Sequence, residues 1–290
     1  MLSLHTNAAA LSAQNSISRT QTSLSTSMTR LSTGFRINSA MDDAAGLQIA
    51  TRLKTQTSGM GVAMRNTQNS ISLMQTAEGA LDETTNILNR MKDLATQAAD
   101  GSSTAADQTA MQKEFDSLTD ELSNIFGNTK FGGTSLLATG GKLTAAVTFQ
   151  IGASSGEKLS VNFNTELAQA VTDMGTATGA GFSQAGTPLA APGTQLTASA
   201  NAAIDQIATA IDSVGALRSK LGAISNRLDH VYNNLSNIST NTKNATGRIM
   251  DVDFASESAQ MTSSQMLLQA GTAMLKQSNS QSSLVLSLLQ

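Results

Sequence analysis

A long row of apolar residues in the C-terminal half constrains the fold of this 290-residue chain more than any other feature. Intervals alternating between three and four residues place these side chains on one face of an α-helix, as in a coiled coil. A helix over this row would measure about 50 Å, at ~1.5 Å per residue. We therefore expect a rod-like helix packed along other helices. The row comprises Ile204, Ile207, Ile211, Val214, Leu217, Leu221, Ile224, Leu228, Val231, Leu235 and Ile238.

Two further helices with the same spacing are predicted in the N-terminal half. The sequence AADGSS at residues 98–103 marks the turn between them, because a glycine is followed there by small polar residues. The methionines of the first helix are predicted to fill the core rather than bind a cofactor, since their unbranched side chains fit irregular gaps. The two rows are Met60, Met64, Ile71, Met74, Ala77, Leu81, Leu88 and Met91, and Met111, Phe115, Leu118, Leu122 and Ile125.

The apolar period changes to two near the middle of the chain. Two alternating rows flank GASSGE at residues 152–157, which predicts a β-hairpin. Residues 165–198 follow, rich in Gly, Ala and Thr and containing both prolines, and are predicted to be a surface excursion with little core of its own. The hairpin rows are Val147, Phe149 and Ile151, and Leu159, Val161 and Phe163.

The two ends of the chain carry similar apolar stripes and hardly any charge. Their remaining surface consists of Ser, Thr, Asn and Gln, which is unusual for a monomer in water. We infer that a second face of each end contacts protein. The N-terminal stripe is Leu4, Leu11, Ile17, Leu24, Met28 and Leu31. The C-terminal stripe repeats every seven residues, at Phe254, Met261, Leu268, Leu275, Ser282 and Leu289.

Composition argues against several classes of partner. The formal net charge of −3 is too small to favour nucleic acid or an anionic membrane surface. No stretch approaches the ~18 apolar residues of a membrane-spanning helix. The first twenty residues lack the basic region and apolar core of a cleaved secretory signal. We predict no nucleic-acid partner, no membrane insertion and, for a secreted protein, export without a cleaved leader.

One catalytic motif is present but in the wrong context. Residues 152–156, GASSG, match the nucleophile elbow G-x-S-x-G around Ser154. The elbow requires a strand that enters a helix and a histidine base, whereas this match lies in a predicted hairpin turn and only His5 and His230 exist. We predict no catalytic residue, with a secreted hydrolase using Ser154 as the weaker alternative.

Two short acidic pairs lack the companion ligands of a metal site. Asp42 with Asp43, and Asp251 with Asp253, do not have the spacing of a calcium loop. Acidic side chains in such places usually interact with the N-terminus of a helix or form a local ion pair. We therefore predict no metal and no cofactor.

Three stretches resemble the bacterial flagellins. They are RLSTGFRINSAMDDAAGLQIATRLK at residues 30–54, NSISLMQTAEGALDETTNILNRMKDLATQAADG at 69–101 and VLSLLQ at 285–290. The resemblance covers roughly residues 1–164 and 197–290. It implies a mainly α fold of long antiparallel coiled-coil hairpins from both chain ends, with a small β-hairpin region and without the large outer domains common in the family.

The resemblance also implies a division into three parts. Residues 1–40 with 250–290 would form an inner coiled-coil domain that lines the filament channel. Residues 41–164 with 197–249 would form an outer-core helical domain that carries the hairpin. Residues 165–198 would be a short variable surface segment.

The resemblance implies a structural subunit and not an enzyme. The subunit would polymerise into an extracellular flagellar filament, either polar or lateral, that serves swimming or swarming. The implied partners are other copies, the flagellar cap, the hook–filament junction proteins, an export chaperone and the flagellar type III export apparatus. The chain would be exported unfolded and assembled at the distal tip, its ends becoming helical only there. A hook–filament junction protein is the alternative. The implied polymerisation interface is Leu11, Ile17, Leu24, Met28, Leu31, Phe254, Met261, Leu268, Leu275, Leu286 and Leu289.

A final implication of the resemblance concerns recognition by hosts. The family is read by an animal Toll-like receptor at a region that matches Arg90, Leu94, Gln97 and Glu114 in this sequence. We expect these four residues to form the receptor-recognition surface.

Overall fold

A computed structural model describes residues 7–179, 181–189 and 192–288, and the side chains of 281–288 are not described. The described residues form six α-helices, four short strands and one 3-10 turn, so the predicted mainly α fold is confirmed. The helices are α1 Ala8–Thr33, α2 Ala44–Ala98, α3 Ala105–Asn128, α4 Asn164–Ala177, α5 Gln195–Met250 and α6 Phe254–Leu288. The strands are β1 Lys130–Phe131, β2 Thr134–Ser135, β3 Ala146–Gln150 and β4 Lys158–Asn162, and the 3-10 turn is Lys142–Thr144.

The chain divides into two compact units. The first unit comprises residues 1–57 and 240–290, and the second comprises residues 58–239. These limits fall inside α2 and α5, whereas the sequence placed domain boundaries near residues 40 and 250, in the turns between helices. Both α2 and α5 continue without a break from one unit into the other. A boundary inside a helix has no loop residues, so the sequence does not mark it.

Helices α2, α3 and α5 supply most of the core of the second unit. Six residues of the long apolar row of α5 are buried, as predicted, and pack with buried residues of α2 and α3. Met74 and Met91 are fully buried and Met60 nearly so, which confirms these methionines as core residues. The buried members of the row are Ile207, Val214, Leu217, Leu221, Leu228 and Leu235.

The predicted β-hairpin is also confirmed. Strands β3 and β4 pair antiparallel, with Val147 opposite Val161 and Phe149 opposite Leu159. These four side chains are buried on one face of the hairpin, while the alternate residues Thr148 and Ser160 are exposed. The period-two pattern therefore located both the strands and their buried face.

Residues 165–198 differ from the prediction of a segment with little core. Residues 164–177 form α4, which buries Leu167, Ala170, Met174 and Ala177 in the core of the second unit. Their spacing of three and four residues is helical, but two of the four are alanines and the neighbouring glycines and threonines obscured the pattern. A salt bridge of 2.6 Å joins Glu166 of α4 to Lys220 of α5.

No helix in the described part of the chain combines the length and apolar character needed to cross a membrane.

Candidate assembly surface

Helices α1 and α6 lie antiparallel in the first unit. The Nδ2 group of Asn7 donates to the carbonyl of Ser278 at 3.3 Å near one end of the pair. The guanidinium of Arg30 lies 3.6 Å from the Glu257 carboxylate near the other end. Between them Ile17 packs so closely on Gly271 that a Cβ on this glycine would lie 2.9 Å from Ile17 Cγ1.

Large and small residues alternate along this α1–α6 seam. With Ile17 opposite Gly271, the antiparallel register places each bulky residue of one helix opposite a small or polar residue of the other. Ser27 and Ser264 are buried, and the register places Met261 opposite Ser27 and Leu24 opposite Ser264. The pairs given by this register are Ala13 with Leu275, Ile17 with Gly271, Thr20 with Leu268, Leu24 with Ser264, Ser27 with Met261, and Leu31 with Glu257.

The residues predicted as a polymerisation interface therefore separate into two groups. Six of them are half-buried along the seam within one chain, so a role in contacts between copies stays a prediction for them: Ile17, Leu24, Leu31, Met261, Leu268 and Leu275. Three are largely exposed: Leu11 at 64%, Met28 at 51% and Phe254 at 58%. The side chain of Leu286 and the whole of Leu289 lie outside the described residues.

Three exposed apolar residues of α6 were missed by the sequence prediction. Met266, Leu267 and Met274 are 60%, 59% and 69% exposed, respectively. They lie outside the seven-residue repeat that was followed along the sequence, so that repeat did not select them. Leu267 and Met274 each precede a seam residue by one position and are rotated from it by about 100°, and Met266 lies two positions away, nearly opposite the seam.

The first unit exposes far more apolar surface than the second. Nine of the eleven large hydrophobic side chains that are exposed among the described residues belong to it, although it is the smaller unit. Both clusters of buried hydrophobic residues found in the described part of the chain lie in the second unit. The nine are Leu11, Met28, Phe35, Met41, Ile49, Phe254, Met266, Leu267 and Met274.

The polar residues of α1 suit burial as well. The hydroxyls of Thr20, Thr22, Thr26, Thr29 and Thr33 each donate to the carbonyl four residues earlier, at 2.9–3.1 Å. These hydroxyls therefore need no water, and covering them with protein leaves no donor unsatisfied. Charged side chains on α1 and on the described residues of α6 are few, so little charge would be desolvated.

The turns beside α1 and α6 are joined by backbone hydrogen bonds. The N–H of Arg36 donates to the carbonyl of Met250 at 2.6 Å, and the N–H of Val252 donates to the carbonyl of Gly34 at 3.0 Å. A third hydrogen bond runs from the Arg36 guanidinium to the carbonyl of Ile249 at 2.9 Å. Gly34, with φ of 75°, makes the left-handed turn that ends α1.

The acidic pairs stabilise these turns. Asp43 accepts from the N–H of Gly46 at 2.8 Å at the start of α2, and Asp253 accepts from the Ser256 hydroxyl at 2.9 Å at the start of α6. The hydrogen bonds from Ser256 lower the pKa of Asp253, and those from the Ser39 and Asn38 N–H groups lower the pKa of Asp42. The predicted role at helix N-termini is confirmed for Asp43 and Asp253. Within the described ranges no three acidic or histidine side chains are grouped as a metal site requires.

The G-x-S-x-G match lies in the turn between β3 and β4. Ser154 donates its N–H to the Glu157 carboxylate at 2.8 Å, and its carbonyl accepts from Gln150 at 2.7 Å. The segment connects two strands, so the strand-to-helix turn of a nucleophile elbow is not formed. His230 is exposed on α5, and His5 lies outside the described residues.

The residues predicted for receptor recognition are only partly accessible. Glu114 accepts from Arg90 Nε at 3.0 Å and Arg90 Nη2 at 2.6 Å, both side chains are about half exposed, and Gln97 is exposed. Leu94 is 2% exposed and belongs to the core of the second unit. It continues the buried row of Leu88 and Met91, so its side chain is not accessible for direct contact in this conformation, and its role in receptor recognition stays a prediction.

Family models match both ends of the chain. The bacterial flagellin N-terminal helical region matches residues 4–141, and the bacterial flagellin C-terminal helical region matches residues 204–289. Flagellin C of Vibrio cholerae is 48% identical over 161 residues, 56% of this chain and 42% of that protein. Polar flagellin F of Vibrio parahaemolyticus is 51% identical over 161 residues, 55% of this chain and 42% of that protein. The chain thus spans about two fifths of the length of the curated relatives it matches.

Two solved structures are also similar. A crystal structure of Bacillus cereus flagellin has a TM-score of 0.45 and 32% identity, over 59% of this chain and 88% of that one. A structure described as a flagellar hook-associated protein from Vibrio parahaemolyticus has a TM-score of 0.54 and 17% identity, over 72% of this chain and 100% of that one, which shows a shared fold alone. The two family models together match most of the length of the chain. The chain therefore belongs to the bacterial flagellin family, whose members are structural proteins rather than enzymes.

Proposed function

We propose that this protein is a structural subunit that polymerises with copies of itself into a bacterial flagellar filament. The observation that carries the proposal is the concentration of exposed large hydrophobic side chains in the first unit, which contains none of the described hydrophobic clusters. Monomeric proteins rarely leave such surface uncovered. Neighbouring copies would cover it.

The energy available from this surface is of the order that association requires. Six side chains of α1 and α6 are each more than half exposed. Covering them would contribute about 5–10 kcal/mol, taking about 1.5–3 kcal/mol for complete burial of each. Association costs about 4–15 kcal/mol in lost freedom of motion. We infer that each subunit needs contacts with several neighbours, as a filament provides.

The two units are assigned different places in the filament. The first unit, with α1 and α6, would form the inner coiled-coil layer that lines the channel, and the helical second unit with its hairpin would form the outer core. The scarcity of charge on α1 and α6 supports the inner position, because neighbouring copies would enclose both helices. The pairing of α1 with α6 would be completed on assembly, so far-UV circular dichroism should show more helix in filaments than in monomers.

The route to the filament follows from the family. The chain would be held by an export chaperone, exported unfolded by the flagellar type III export apparatus and added at the distal tip beneath the flagellar cap, with hook–filament junction proteins at the base. It would then be extracellular and serve swimming or swarming. Deleting the export apparatus in the native host should leave the protein inside the cells.

A role as a ligand of the host Toll-like receptor is proposed for the accessible residues only. Arg90, Gln97 and Glu114 are exposed on neighbouring turns of α2 and α3 and provide a polar surface. Leu94 would act by supporting α2 from the core. Receptor reporter assays with Arg90→Ala and Gln97→Ala should show weaker activation, while an unchanged response would exclude this surface.

Elongation from filament seeds tests the main proposal. Purified protein should extend the seeds into micrometre fibres, as seen by electron microscopy. The alternative is a junction protein, which shares this fold and would bind to seed ends without growth. Capping without elongation would overturn the proposal in favour of that alternative.

A further inference from the structure

The exposed methionines of the described chain all belong to the first unit. Methionine is usually a core residue, and in the second unit Met74, Met91 and Met174 are fully buried. Of the six methionines in the second unit, five are buried and Met64 is half-buried. The sulfur atoms that solvent reaches are therefore concentrated in the unit that carries the candidate assembly surface. The exposed methionines are Met28 at 51%, Met41 at 96%, Met266 at 60% and Met274 at 69%.

Met266 and Met274 lie on one uncharged stretch of α6. Leu267 is 59% exposed and precedes Met274 by seven residues, or nearly two helical turns, so these two side chains leave the same side of the helix. Residues 258–275 contain no Lys, Arg, Asp or Glu. Both sulfur atoms therefore belong to an apolar and uncharged part of the candidate assembly surface.

The threonine hydroxyls near these methionines are already used within α6. The hydroxyl of Thr262, one turn before Met266, donates to the carbonyl of Ser258 at 2.9 Å. The hydroxyl of Thr272, two residues before Met274, donates to the carbonyl of Gln269 at 2.9 Å. A new hydrogen-bond acceptor at either sulfur would therefore obtain no proton from these hydroxyls once water was excluded.

A hydroperoxide converts an exposed methionine to its sulfoxide. The lone pair of the thioether sulfur attacks one peroxide oxygen, so that an S–O bond forms while the O–O bond breaks. The proton of the transferred oxygen passes to the leaving oxygen, and hydrogen peroxide releases water. Sulfur is oxidised and the peroxide is reduced by the same electron pair. The reaction requires access to the sulfur but no neighbouring acid or base, and its product is a polar side chain that methionine sulfoxide reductases convert back.

We propose that Met266 and Met274 form an oxidation site for hydroperoxides that controls the entry of the free subunit into the filament. Both sulfur atoms face solvent in the monomer, so they are oxidised before the methionines of the core. A sulfoxide at either position places a polar oxygen on a surface that another copy is to cover. Assembled subunits shield the same sulfur atoms from peroxide. The effect on assembly rests on the proposed function, whereas the order of oxidation in the monomer does not.

Peptide mass spectrometry of the monomer during treatment with hydrogen peroxide provides the first test. Met266 and Met274 should be oxidised at least about tenfold faster than Met74, Met91 and Met174, because access of the peroxide follows exposure. The core methionines are internal controls in the same sample, and circular dichroism verifies that the second unit stays folded. Equal rates for the two groups in the folded monomer would overturn the proposal.

Seeded elongation after the same treatment provides the second test. The oxidised native protein should require a concentration at least about thirtyfold higher to elongate, because the burial of two apolar side chains no longer favours assembly. Met266→Leu with Met274→Leu keeps the apolar bulk without sulfur and should retain most of its elongation after peroxide. The matched control, Met28→Leu with Met41→Leu, removes the other two exposed sulfur atoms and should stay nearly as sensitive as the native protein.

Reduction distinguishes methionine oxidation from other damage. Methionine sulfoxide reductases for both sulfoxide epimers should restore elongation of the oxidised native protein. Equal peroxide sensitivity of the two leucine variants, or no recovery after reduction, would refute control by Met266 and Met274. Failure of the untreated native protein to elongate would refute the proposed function instead, and the oxidation rates in the monomer would still decide whether the oxidation site exists.

Discussion

Replacing the exposed methionines of α6 by glutamine should prevent filament growth at concentrations that suffice for the native protein. Met266 and Met274 are 60% and 69% exposed, so about two thirds of each side chain remains to be buried. At about 1.5–3 kcal/mol for a fully buried methionine, each contributes about 1–2 kcal/mol to assembly. The double variant therefore loses about 2–4 kcal/mol, which raises the critical concentration about 30- to 1,000-fold. Glutamine keeps the length of the side chain and adds no charge.

Sedimentation of polymer after seeded elongation, over a range of protein concentrations, measures this effect. The melting temperature of the monomer should stay unchanged, because both side chains face solvent there. Val62→Gln is the matched control, because Val62 is 45% exposed but belongs to the second unit. The critical concentration of this variant should differ from that of the native protein by less than about threefold. A normal critical concentration for the double methionine variant would refute the assignment of this α6 surface to subunit contacts.

Three further predictions concern the second unit. Gly127→Ala should destabilise it by about 1–3 kcal/mol in urea unfolding, because the new Cβ meets the backbone of Gly186, whereas Gly175→Ala, with open space around it, should stabilise it by up to about 1 kcal/mol. Leu94→Ala should cost about 2–5 kcal/mol by the same measurement because a buried core side chain is lost, and a loss below about 1 kcal/mol would contradict its burial. The hydrogen bond from Lys220 lowers the pKa of Glu166 below its ordinary value of 4.5, so this contact stabilises the protein above about pH 4.5 and is lost as the pH falls through the lowered pKa. Glu166→Gln should therefore reduce the dependence of stability on pH in this acid range, and an unchanged acid profile would exclude the contribution.

Periodicity located the elements of the fold because each buried face repeats at the period of its own backbone. The row from Ile207 to Leu235 identified a helix and its buried face, and the alternation around Val147 identified a strand. The same reasoning failed for α4, where alanines at the buried positions have little apolar contrast with their surroundings. An alanine on a helix is buried when another element packs closely against it, and the periodicity of the sequence does not show where this happens.

The candidate assembly surface was only partly predictable. A heptad stripe shows which face of α1 or α6 is apolar but not whether its partner belongs to the same chain. The seam residues Ile17 and Leu268 and the exposed Met28 were therefore indistinguishable as candidates. The burial of Leu94 was overlooked although it continues the row of Leu88 and Met91, because its assignment came from the family resemblance and not from the helical period. The hydrogen bonds that Asp116 and Asp120 accept from the N–H groups of Gly193 and Leu189 were missed because backbone N–H groups carry no sequence signal.

The matching of bulky to small residues along the α1–α6 seam implies that sliding between these two helices is stepwise. A displacement of three residues places Ile17 opposite Leu268, whereas a displacement of seven in the other direction places Leu24 opposite Gly271 and again matches bulky to small residues. Permitted positions are thus separated by about 10 Å of axial travel. Under tension or compression, α1 and α6 should therefore keep one register, and intermediate displacements should be less stable.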